Sequence, residues 1–239
     1  MTKCKNCGHR FEGNYCNHCG QAAKTGRINL MFLWEDIHHG ILHYDKGITY
    51  SIKQLFLKPG YAIRDYIRGK RVGHFRPISL VIVLATIYAL IYHLTDVNLI
   101  TSDNNASIKI YNYVIEHYYW FIIATIPLFG LSTFIAFRDH NYNFPEYIIF
   151  ESFKASQRLI IHTLFLSVIF FAHNSDFTRF SINILFVIDI SLITWTNIQF
   201  FSRLTVFNSI LKSILSYIIW LLLVFIVAVG IVLVLNIDI

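Results

Sequence analysis

ILSYIIWLLLVFIVAVGIVLVL, residues 214–235, carries no charged side chain from end to end. At 1.5 Å per residue, a helix of that length covers about 33 Å, enough to cross the hydrocarbon core of a bilayer. Four more apolar runs precede it, at 77–94, 118–137, 159–172 and 182–201. The third is short for a span. A helix starting at Pro145, with Glu146 in its first turn, would reach it as one long rod whose first half lies at the interface. The pattern predicts an all-α membrane protein with about five transmembrane helices, four being the next choice. Composition agrees: 55% hydrophobic residues, 14% charged residues and a mean hydropathy of +0.52 are hard to reconcile with a water-soluble fold of 239 residues.

Charge divides the chain into two parts that expect different solvents. Residues 1–76 hold 13 of the 20 Lys and Arg, and residues 77–239 hold the other 7. With the N-terminus inside, 18 of these cations fall on cytoplasmic segments, including Arg138, Lys154, Arg158, Arg203 and Lys212. Only Lys109 and Arg179 fall outside. The positive-inside rule therefore predicts a cytoplasmic N-terminus and, if all five runs cross, an external C-terminus. No basic stretch leads into a short apolar core near Met1, so no secretory signal is expected.

All four cysteines lie in CKNCGHRFEGNYCNHCG, residues 4–20. Each CxxC pair makes a tight knuckle that aims two thiolates at one metal, and Gly8 and Gly20 allow the chain to reverse. Two knuckles together predict a tetrahedral zinc site of Cys4, Cys7, Cys16 and Cys19, a zinc ribbon over 1–26. Iron is the rival metal, and a redox dithiol or disulfides are the rival chemistries. Four protein thiolates leave no open position, so the site reads as a structural clip. Phe11 and Tyr15 are its candidate core, which makes metal binding the main source of its folding energy.

Residues 27–76 form an amphipathic, basic juxtamembrane segment. Ile28, Met31, Trp34, Ile37, Ile41 and Tyr44 recur at helical spacing, predicting an interfacial amphipathic helix that lies in the headgroup layer or packs under the bundle. A second short helix spans Ile48 to Leu57 and stops at Lys58, Pro59 and Gly60. Glu35, His39 and His43 stand four apart and could hold a second metal, although a polar helix face explains them as well. Arg64, Arg68, Lys70, Arg71 and Arg76 then gather just before the first span, where anionic lipid headgroups are the expected partner. Nucleic acid is the weaker reading, because a patch abutting a span meets lipid first.

Two stretches carry a resemblance: the CxxCG, eight-residue gap, CxxCGQ head from Cys4 to Gln21, and PGxxIRxYxxGKR from Pro59 to Arg71. Together they resemble a bacterial family of uncharacterised zinc-ribbon-headed polytopic membrane proteins, a domain of unknown function. A weaker match falls on the helix start at Pro145 and Glu146. The resemblance implies a bacterial inner-membrane protein and brings no activity, substrate or catalytic residue.

Within the bundle, 77–239, Asp189 sits in the middle of the fourth span, where a charged carboxylate costs about 2.5 to 3.5 kcal/mol. Asn183, Thr194 and Asn197 lie on the same side of that helix, a candidate intramembrane polar site. The plainer reading is a protonated Asp189 hydrogen-bonded to a neighbour such as Thr125 or Thr86 for packing. No HExxH, GxSxG, Walker-type loop or carboxylate pair is present, so an enzyme is the weaker expectation. The leading reading is a non-enzymatic module whose head recruits or organises a cytoplasmic protein partner. The alternative is a transporter or lipid-handling protein built around Asp189.

Overall fold

The computed structural model describes residues 1–40, 47–95, 117–172 and 175–235. Two short strands, β1 (Thr2–Lys3) and β2 (Arg10–Phe11), pair antiparallel in the head. The helices α1 (Leu30–Gly40), α2 (Ile48–Leu57) and α3 (Pro59–Ile67) form a collar beneath it. Five long helices follow: α4 (Pro77–Thr95), α5 (Tyr118–Ala136), α6 (Phe144–Ala172), α7 (Ser175–Phe200) and α8 (Val206–Leu235). All five are long and apolar enough to cross a membrane. Their outward faces match that solvent: Val187, Phe225 and Ile226 are 62%, 66% and 63% exposed, a surface that would aggregate in water.

The third span is one continuous rod, and its first half is enclosed by protein. Every residue of α6 from 146 to 157 is buried, because α2, α3, α4, α5 and α7 all pack around it. Lys154 and Arg158, counted as cytoplasmic loop cations in the sequence, belong to this enclosed helix. The α5–α6 contact is close at Gly130, where an added Cβ would stand 2.8 Å from Ile148 Cδ1. The start of α6 is fixed by a reciprocal cap. Asn143 Oδ1 accepts the Glu146 N–H at 2.9 Å, and Glu146 Oε2 accepts the Asn143 N–H at 2.7 Å.

The amphipathic helix α1 packs against α4 through Asp36, with Phe32 and Leu33 against the core. Asp36, 1% exposed, accepts the Ile78 N–H and the Ser79 hydroxyl, so it caps α4 from a distance in sequence. Burial raises the Asp36 carboxyl above its ordinary value, against the pull of those two donors and Arg76. The predicted apolar stripe divides: Ile28 is buried in the core, Met31 and Trp34 are 62% and 59% exposed, and Ile41 and Tyr44 lie outside the described residues. That exposure suits a helix whose outer face meets a headgroup layer.

Candidate functional site

The two knuckles of the head are near copies. Cys4 N donates to His9 O and Cys16 N to Gln21 O, both at 2.8 Å, and the Gly8 and Gly20 amides close back onto Cys4 O and Cys16 O. Both glycines sit at φ 77°, where a side chain would be strained. The four sulfurs converge within 4.8 Å of one another, with Cys4 and Cys19 at 3.5 Å and Cys7 and Cys16 at 3.7 Å. A tetrahedral ion with metal–sulfur bonds of about 2.3 Å needs sulfurs about 3.8 Å apart, so the cluster could hold a metal ion.

Electrostatics agree. The Cys7 amide helps lower the Cys4 thiol to about 6. A His9 amide favours the Cys7 thiolate as well, yet burial and the neighbouring sulfurs raise that thiol to about 12. Thiols this close ionise together only around a cation. His9 and His18 stack on each other at 5.8 Å and are exposed, outside the set of four. Of the two expected core residues, Phe11 is buried, but Tyr15, which bridges Ala22 antiparallel, is 68% exposed.

The head is clamped to the bundle by the two stretches that carried the resemblance. Gln21, the last residue of the first, donates through Nε2 to Gly69 O and accepts the Arg71 N–H on Oε1 at 3.3 Å. Gly69, at φ 107°, lies so close to the head that a Cβ would meet Lys5 Cδ at 2.8 Å. A second clamp joins Arg27 to Glu146 by two parallel bonds of 2.8 Å, and Asn143 donates to Ile28 O. Nothing about a lone Arg27 in the sequence pointed to this pair, since its partner is 119 residues away.

The five collar cations do not act as one patch. Arg71 is half-buried, donating to Gly26 O and lying over the Phe32 ring at 4.5 Å. Arg76 reaches Glu35 O at 2.9 Å, and Lys70 pairs with Asp65 at 2.8 Å. Arg64 and Arg68 instead face the 139–142 loop and the 200–203 turn. Gly60 makes that approach possible: its amide donates to Gln199 Oε1, and a Cβ there would stand 2.3 Å from Phe200 N. Glu35 belongs to the proposed second metal stripe, but the side chains of His39 and His43 lie outside the described residues.

A family model described as "Protein of unknown function (DUF3667)" matches residues 45–89. The match contains Pro59 to Arg71 and α2 through the first half of α4, and with the cysteine cluster it fits a family of unknown function with a zinc-ribbon-like head. No curated protein and no solved structure matches the chain.

In the bundle, Asp189 does find a partner. His162 Nε2 lies 3.0 Å from Asp189 Oδ2 and 3.3 Å from the Tyr118 hydroxyl, with the Tyr118 and His162 rings stacked at 4.6 Å. The other Asp189 oxygen is buried with no partner among the described residues. Thr125 and Thr86, suggested as neighbours, bond to carbonyls of their own helices. Asn183, Thr194 and Asn197 are not brought to Asp189. Asn197 is buried against Ser213 at 2.8 Å, Asn183 is exposed and Thr194 half-buried. The overlooked signal was the spacing of Lys154, Arg158 and His162, three basic groups four apart on one face of α6.

Proposed function

We propose that this chain is a non-enzymatic multi-pass protein of a bacterial inner membrane, whose zinc-stapled cytoplasmic head organises a protein partner at the membrane surface. The observation that carries the reading is the double clamp of Gln21 on Gly69 and Arg71 and of Arg27 on Glu146. A partner seated on so fixed a head would be held at a set height and orientation over the bilayer. Zinc is the metal of this reading because four thiolates at these separations suit it, and a closed tetrahedron leaves it no catalytic position. With Lys154 and Arg158 set aside as part of α6, the division of 16 cations against 2 and the thiols' need for reducing conditions favour a cytoplasmic head.

The test is affinity capture from membranes with the wild-type chain and a Cys4→Ser/Cys7→Ser variant, with metal content measured on both. The variant is expected to lose its zinc and its captured partner while the bundle stays in the membrane. An unchanged partner set would refute the reading.

The contact between His162 and Asp189 favours a second reading, transport or lipid handling through the bundle, because a carboxylate and an imidazole at that depth can pass a proton. Asp189→Asn is then expected to abolish a flux or lipid phenotype at normal protein abundance, and normal function in that variant would dispose of it.

A further inference from the structure

A cavity of about 260 Å³ lies at the head end of the bundle, between α3, the loop joining α5 to α6, and the turn joining α7 to α8. Arg64, Arg68 and Arg203 line it together with His140, Tyr142 and Ser202. None of the three arginines forms an ion pair among the described residues. The lining carboxylate, Asp139, is paired with Lys212 at 2.6 Å rather than with any of the three arginines. Arg64 is positioned by the Phe200 carbonyl, the Ser202 hydroxyl and the Tyr61 ring, so it also answers the carbonyl end of α7. No described hydrogen bond engages the guanidinium groups of Arg68 and Arg203, and the buried Nδ1 of His140 has no partner among the described residues.

The walls are preformed. Phe200 and Phe201 are each 2% exposed, and Phe201 stacks on Phe137 at 3.9 Å. Arg64 is half-buried and Arg68 and Arg203 are exposed, so the three guanidinium groups present a cationic rim on one hollow that an anion entering from solvent or from the headgroup layer would meet. A phosphate offers more oxygens and more charge to several forks than the two oxygens of a carboxylate, and the volume leaves room for a small substituent on it. The cavity also lies where α5 ends and α8 begins, at the edge of the apolar helices, within reach of a lipid headgroup.

The geometry points to this cavity as a binding site for a phosphate group, carried by an anionic phospholipid or free in solution, with Arg68 and Arg203 as its principal ligands and Arg64 as its fixed base. The site is independent of the partner-organising reading. It narrows the five collar cations expected to meet headgroups to two and adds Arg203 from 132 positions beyond Arg71.

The test uses the full-length protein in phosphatidylcholine nanodiscs with or without phosphatidylglycerol, counting retained lipid by native mass spectrometry, and titrates inorganic phosphate into the same samples. Arg68→Ala/Arg203→Ala is compared with Lys24→Ala/Lys53→Ala, which removes the same charge from exposed positions elsewhere. If each arginine contributes about 1 kcal/mol, the first variant binds about thirtyfold more weakly and the second is nearly unchanged. Saturable phosphatidylglycerol binding lost only in the arginine variant supports a lipid source. Phosphate binding lost only there, with no preference for phosphatidylglycerol, supports a soluble one. Binding of neither probe, or equal loss in both variants, overturns the proposal.

Discussion

The first half of α6 and the outer face of α8 have opposite relations between chemistry and burial. In α6, Glu151 and Lys154 are each 3% exposed, paired at 2.8 Å, with Thr133 donating a further bond to Glu151 and Lys154 lying over the Phe150 ring. On α8, Leu222, Phe225 and Ile226 stand more than half exposed. A water-soluble protein would place these the other way round. The difference shows where polarity is affordable in a membrane protein: inside, where side chains satisfy one another, because lipid offers no hydrogen bonds outside.

Three substitutions would break or sharpen that contrast. Lys154→Ala should have the largest effect, on the order of 3 to 5 kcal/mol, because it leaves Glu151 buried without its cation. Thermal unfolding in detergent would measure it, and the double variant Glu151→Leu/Lys154→Met should be much less destabilised than the single one. A smaller and pH-dependent effect is expected at His74, which packs edge-on against Tyr50, Tyr66 and Phe153. Burial lowers its pKa to about 4. The folded protein therefore holds His74 neutral while the unfolded chain takes up a proton near its ordinary 6.5. Stability from this group should be full above about pH 6.5 and decline as pH falls toward 4, and His74→Phe should flatten that part of the profile. Phe225→Ala should have the smallest effect, within about 0.5 kcal/mol of wild type in the same assay, since an exposed side chain leaves no cavity. A large loss there would mean that α8 packs against another protein surface.

The spans show how much of the fold was legible. Runs at 77–94 and 118–137 fall almost residue for residue on α4 and α5, because an uncharged stretch of that length has few alternatives. The long rod was legible too, from Pro145 and Glu146. Its enclosure was not, since Thr133 is brought to Glu151, and Leu55 and Thr196 to Gln157, from other elements. The same holds for the collar. Arg71 looks like Arg68 in sequence, yet one is held by Gly26 O and Phe32 while the other faces a cavity.

By itself the sequence determined the apolar helices and the four-sulfur cluster, because both depend on neighbours within a few turns of the chain: length and hydropathy for the helices, two CxxC spacings for the cluster. Only the tertiary structure decided which charges are paired and which have no ion pair among the described residues. The Asp189 carboxylate meets His162 from another helix, and the cavity arginines meet across segments more than 130 residues apart. Pairings of that kind depend on how the helices pack against one another, and no local spacing encodes them.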